Sequence, residues 1–135
     1  PGFDLVRDAI SAGIRVESIP GPSAFVSALI LSGLPSHAFT FIGYLPQKEK
    51  ARVHALQKLI HEPRTLIFYE SPYRIQKTLK DMFEVFGDRQ ASVSREMTKK
   101  FEETIRGKLS DIIGALAGRK ILGEWAIVVQ GHESS

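Results

Sequence analysis

Three short segments of the 135-residue chain gather the side chains best suited to chemistry. Pro20-Gly21-Pro22-Ser23-Ala24 sets a hydroxyl and the free N–H groups of a helix start beside a glycine. That geometry suits a carboxylate or another anion, or simply a capped helix after a tight turn. Glu70-Ser71-Pro72-Tyr73-Arg74 leaves a carboxylate at the end of an apolar run, with Tyr69 before it and Arg74 one helical turn on. The carboxylate can face a ligand, or it can merely bring a buried strand out to water. Arg95, Lys99 and Lys100 gather about a third turn, which suits phosphate contact or an ordinary solvated hairpin tip.

Other chemistries find no support. With no cysteine in the chain, disulfides, thiolate metal sites and cysteine nucleophiles are excluded, and a cytoplasmic protein is the simplest expectation. His37, His54, His61 and His132 show no metal-ligand spacing, so no metal site is expected. There is no GxGxxG, no Walker loop and no Ser-His-Asp spacing. The longest apolar run, Ala24 to Leu34, is too short for the ~20 residues a membrane span needs, and the opening Pro1-Gly2-Phe3-Asp4 does not read as a signal peptide. A net charge of +3 permits a polyanionic partner without requiring one, since acidic residues are spread among the basic ones.

The elements that must position the three turns follow from periodicity. Phe3 to Ala12 carries a helical apolar face ended by Gly13, and Ile14 to Ile19 alternates with period two, as a strand does. After the Pro20-Gly21-Pro22 break, Ser23 to Leu34 reads as a largely buried helix stopped by Gly33 and Pro35. Ala38 to Leu45 reads as a strand and Gln47 to His61 as an amphipathic helix. Thr65 to Tyr69 is continuously apolar, the pattern of a central strand buried on both faces, after which Ser71 is expected to cap a helix and Pro72 to open it. Ile75, Leu79, Met82, Phe83 and Phe86 supply that helix with its apolar face. Two strands, Ala91 to Glu96 and Phe101 to Gly107, flank the basic turn; a helix from Ser110 to Gly118 and a strand from Trp125 to Gln130 complete the series. The alternation predicts a three-layer αβα domain of the α/β class, its sheet mixed because of the 91–107 hairpin. Residues 1–19 are expected to be the end of a preceding domain, 20–131 one folded domain, and 132–135 a disordered tail.

Read together, Pro1-Gly2-Phe3-Asp4-Leu5-Val6-Arg7, Ile19-Pro20-Gly21-Pro22-Ser23-Ala24, Thr65-Leu66-Ile67-Phe68-Tyr69-Glu70-Ser71-Pro72-Tyr73-Arg74 and Arg95-Glu96-Met97-Thr98-Lys99 resemble the ribosomal RNA small subunit methyltransferase I family. Four motifs agree in order and spacing over essentially the whole chain. The resemblance implies the C-terminal domain of the tetrapyrrole (corrin/porphyrin) methylase fold, in which two α/β domains enclose S-adenosylmethionine. It also implies that the N-terminal half of such an enzyme lies upstream of Pro1, leaving a fragment with at most half a cofactor site. Carried over by position, Ser23, Ala24, Glu70, Met97 and Ala126 fall on cofactor-contacting positions, and Arg95, Glu96 and Lys99 on the motif expected to meet RNA.

The reaction so implied is attack of a cytidine ribose 2′-oxygen on the sulfonium methyl carbon, with small-subunit rRNA or the assembled subunit as substrate and a homodimer as the working form. The catalytic base is not identified; Glu70, Glu96 and Lys99 are the titratable candidates. Two other readings stand beside this one: a tetrapyrrole C-methyltransferase, and a non-catalytic RNA-binding or dimerisation module. Burial of the Ser23–Leu34 helix separates the last from an enzyme half, since a module would leave it open at an interface.

Overall fold

The computed structural model describes residues 2–19, 21, 23–95 and 102–134. Helix α1 (Gly2–Ser11) and helix α2 (Ala24–Ser32) come first, followed by β1 (Phe39–Tyr44), α3 (Glu49–Gln57), β2 (Thr65–Glu70) and α4 (Ile75–Phe86). The hairpin strands β3 (Gln90–Arg95) and β4 (Glu103–Lys108), helix α5 (Leu109–Leu116) and β5 (Trp125–Val129) complete the chain.

The five strands form one sheet in the order β1-β2-β5-β3-β4, with β1 and β2 parallel and every other pair antiparallel. The expected three-layer α/β arrangement with a mixed sheet is present. Its mixture has a second source besides the hairpin, because the last strand, β5, inserts antiparallel between β2 and β3. All five β5 residues are buried, as Trp-Ala-Ile-Val-Val must be in a central strand covered on both faces. On one side α3, α4 and α5 enclose the larger core, which includes Leu56, Phe68, Leu79, Met82, Ile112 and Ile127. On the other, α2 covers Ile67, Ala126 and Val128 with Ala28 and Leu29.

Four expectations meet a different structure. Residues 14–19 form no strand: period-two alternation needs a neighbour to pair with, and none is supplied among the described residues. Helix α2 is half covered, with Ala28 and Leu29 against the sheet but Val26 41%, Ile30 70% and Leu31 37% exposed. It therefore neither packs wholly inside the domain nor lies wholly open. Ser71 and Pro72 do not begin α4, which starts at Ile75 with Arg74 at its N-cap; residues 72–74 form a turn in which the Ser71 carbonyl accepts from the N–H groups of Arg74 and Ile75. Finally, the chain end is held at least to His132, whose N–H donates to the Glu62 carbonyl and whose ring meets His61 edge-on. Gly131 fits there because it lacks a Cβ, which would stand 2.1 Å from the Pro63 carbonyl oxygen.

A buried ion pair links the helical layer. Arg52 of α3 donates through Nε to Asp81 of α4 at 2.6 Å, the side chains being 3% and 7% exposed, and its second nitrogen reaches the Gln47 carbonyl. Removing one partner strands the other charge away from water. Asp81→Ala is expected to cost about 3–5 kcal/mol in chemical denaturation, whereas replacing Arg52 and Asp81 together by Met and Leu recovers most of that loss.

Candidate functional site

Strands β1, β2 and β3 run in the same direction, so their carboxyl ends share one edge of the sheet with the start of β5 and β4. Ligands of α/β proteins collect at this kind of edge. Two rows of side chains cross it. On the α2 side, Tyr44, Tyr69, Ala126, Ser94 and Thr104 lie in register over all five strands. One residue nearer the edge, Glu70, Trp125, Arg95 and Glu103 form the next row and face the α3–α5 layer.

The first row depends on an irregularity in β1. The pairing with β2 slips between Phe41 and Gly43, and Gly43 takes a φ of 77°, a left-handed conformation that glycine adopts without strain. The extra residue reverses the alternation, so Phe41 and Tyr44, three apart, share the α2 face with Tyr69. Ile42 points the other way, into the larger core. Phe25 of α2 closes on Phe41 with ring centroids 4.6 Å apart, and Tyr69 packs between Phe41 at 5.2 Å and Tyr44 at 5.7 Å. Tyr44 donates its hydroxyl to Glu124 at 3.2 Å, and partial burial followed by the nearby Glu124 carboxylate holds its pKa above the ordinary phenol value.

Ser23 stands at the N-cap of α2 with extended backbone, and its carbonyl accepts from Ser27 N–H while its side chain makes no capping bond. Among the described residues, the hydroxyl and the first N–H groups of α2, including that of Ala24, meet no partner. Ala126 lies beneath α2 and is 2% exposed. Glu70 is on the opposite face and 2% exposed, with both carboxylate oxygens engaged: Oε1 accepts from Ser71 N–H at 2.8 Å and Arg74 Nε at 3.2 Å, and Oε2 accepts from Thr78 Oγ1 at 2.8 Å. This carboxylate fastens the end of β2 to the start of α4. The Ser71 hydroxyl beside it is buried without a partner.

Arg95 also lies within the fold. Its guanidinium sits over the Trp125 ring at 5.7 Å and 3.4 Å from Glu103, too poorly aligned for a hydrogen bond there. Arg119 grips the same carboxylate through two bonds of 2.8 and 2.9 Å, and this pairing, ahead of the opposing effect of partial burial, lowers the Glu103 pKa. Glu96, Met97 and Lys99 lie outside the described residues. Sequence reasoning grouped Ser23, Ala24, Glu70, Met97 and Ala126 as cofactor positions, but the structure places Ala126 and the start of α2 on one side of the sheet and Glu70 with Arg95 on the other. That reasoning passed over Tyr44, Thr78, Glu103, Arg119 and Glu124. Only Thr78 left a readable signal, one helical turn beyond Arg74 and therefore on the face nearest Glu70.

The family described as Tetrapyrrole (Corrin/Porphyrin) Methylases matches residues 1–113. The chain belongs to this family. Among individual relatives, this tetrapyrrole methylase chain is 52% identical over 134 residues to ribosomal RNA small subunit methyltransferase I of Xylella fastidiosa (strain 9a5c), covering 97% of this chain and 49% of the relative. It is 42% identical over 134 residues to the protein of that name in Bacillus subtilis (strain 168), covering 99% and 46%. The chain thus spans about half the length of these curated relatives. Among solved structures, the methyltransferase CobJ superposes with a TM-score of 0.63 at 18% identity, covering 98% of this chain and 59% of that one. Uroporphyrin-III C-methyl transferase from Thermus thermophilus, complexed with S-adenyl homocysteine, gives 0.58 at 18% identity, covering 94% and 58%. These two likenesses concern the fold alone, and the mixed sheet with its helical layers is the tetrapyrrole methylase fold.

Two tests follow for the strand-end row. Thr78→Val leaves a buried oxygen of Glu70 without its donor and is expected to cost about 1.5–3 kcal/mol in denaturant titration. Glu103, its pKa lowered in the folded state, contributes stability that is complete above the usual carboxylate range and is lost as pH falls through the lowered value. Glu103→Gln should therefore flatten the acid limb of a melting-temperature profile while leaving its alkaline side unchanged.

Proposed function

We propose that the intact protein is an S-adenosylmethionine-dependent methyltransferase acting on small-subunit ribosomal RNA, with the 2′-oxygen of a cytidine ribose as methyl acceptor. The observation that carries this reading is identity of 42–52% to ribosomal RNA small subunit methyltransferase I proteins over nearly the whole chain. In this reading residues 20–131 are the C-terminal methylase domain, and chain beyond the present residues completes the cleft, consistent with the half-length match.

The residues present suit part of such a cofactor. The Ser23 hydroxyl and the N–H groups at the start of α2, without partners among the described residues, fit a carboxylate, and Ala126 offers a small side chain in the same layer. Met97 is assigned a backbone contact. Glu70, whose oxygens are all engaged, contributes through the backbone it holds in place and not as a free carboxylate. The cofactor, when bound, supplies a methyl group already activated by its sulfonium. The protein's part is to exclude water, align the ribose oxygen and accept the hydroxyl proton, at a group we leave unassigned. Glu96 and Lys99 are the RNA-facing candidates, and Arg95 supports them by fixing the end of β3 against Trp125 and Glu103. A homodimer in the cytoplasm, where ribosomal subunits reside, completes the proposal; among the described residues no helix is long and apolar enough to cross a membrane.

The test is transfer of labelled methyl from S-adenosylmethionine to small ribosomal subunits lacking the modification, using the intact protein. Label in a ribose 2′-position is the expected result, with Ser23→Ala raising the KM for the cofactor about five- to tenfold through loss of one hydrogen bond. Label that goes instead to a uroporphyrinogen-type macrocycle overturns the RNA reading.

A further inference from the structure

We infer that Tyr44 and Glu124 form a nucleobase seat on the RNA substrate, Tyr44 stacking on a base and Glu124 accepting from its exocyclic amine. This rests on the RNA reading above and names a specificity element for it. Tyr44 is 56% exposed, yet its ring is not free to swing. The hydroxyl is tied to Glu124 at 3.2 Å, one flank packs on Tyr69, and the Gly43 bulge fixes the backbone beneath. A rigid, half-open aromatic ring at the carboxyl edge of the sheet is what an unstacked base of single-stranded RNA requires.

The surroundings select that occupant over an apolar protein partner. Glu124 is exposed and spends only Oε2 on Tyr44, leaving lone pairs that accept from the exocyclic amine of cytosine or adenine, whereas uracil presents a carbonyl oxygen at the position of cytosine's amine and would repel the carboxylate there. The chain leaving β1 carries exposed Lys48 and Lys50, cations suited to the phosphates on either side of a seated base. At the end of the adjacent parallel strand, Tyr73 is 89% exposed, so a second ring stands on the edge where the neighbouring nucleotide would lie. An apolar protein surface would have to bury a carboxylate here.

The experiment measures binding of fluorescein-labelled oligocytidylate and oligouridylate to the intact protein by anisotropy at one fixed salt concentration. The wild type should prefer oligocytidylate by about fivefold, and Glu124→Ala should abolish that preference. Tyr44→Leu should weaken both oligomers about tenfold, with Tyr44→Phe, which keeps the ring and its packing, within about twofold of the wild type. Equal affinity of all variants for both oligomers overturns the proposal. So does a loss as large in Tyr44→Phe as in Tyr44→Leu, or a fall in melting temperature for Tyr44→Leu with RNA binding unchanged, which would mean that the patch is covered by protein. Methyl transfer to ribosomal subunits, assayed in parallel, is the separate measure of the RNA reading: base preference without transfer sinks that reading alone, and transfer without base preference sinks this one alone.

Discussion

The organising constraint is that the last strand of the chain occupies the middle of the sheet. Among the described residues β5 is the strand that bridges the β1-β2 pair and the β3-β4 hairpin, and it does so antiparallel to both of its neighbours. Because it enters from the edge where β1, β2 and β3 end, it carries Glu124 and Trp125 there, where Tyr44 bonds Glu124, Arg95 lies over Trp125 and Glu70 stands in register beside Trp125. Without β5 the strand ends would still exist, but as two separate patches.

That insertion also explains why the edge formed by the strand ends has two chemically different faces. Towards the α3–α5 layer, carboxylates and guanidinium groups are locked to each other or to helix starts: Glu70 to Thr78 and Arg74, Glu103 to Arg119. Towards α2 the row is aromatic and hydroxylic, and its contacts are single hydrogen bonds between neighbouring strands, Tyr44 to Glu124 and Ser94 with Thr104, with Tyr44 standing half out of the surface. The locked face stiffens the strand ends, and the open face is the one that can meet a ligand. Ion pairs that are satisfied internally make poor binding groups, since a ligand would first have to break them.

Much of this was legible in the sequence, for local reasons. The apolar run from Thr65 to Tyr69 announced a buried central strand, and Gly33 marked the end of α2, where it takes a φ of 71°. The helix face of Ile75, Leu79, Met82 and Phe86 was equally plain. What stayed hidden depended on partners distant in the chain. Residues 14–19 alternate as a strand does, yet no strand among the described residues pairs with them. Glu70 reads as an open strand-end carboxylate until Thr78 and Arg74 fold back on it. Tyr44 meets Glu124 across 80 positions, a contact no spacing rule could anticipate.

The bulge at Gly43 places an unusual demand on this stretch. Side-chain direction along a strand alternates strictly, so the facing of Tyr44 is set by how many residues separate it from Phe41 and by whether the extra one bulges. Losing one residue there would restore regular pairing and leave the tyrosine opposite Tyr69 on the α2 face, whereas flattening the bulge at constant length would turn it towards the helical core, Phe41 staying in place in both cases. Natural relatives should therefore either keep a glycine at the bulge or lose the extra residue together with it, and a bulky side chain at position 43 with the length unchanged should be rare.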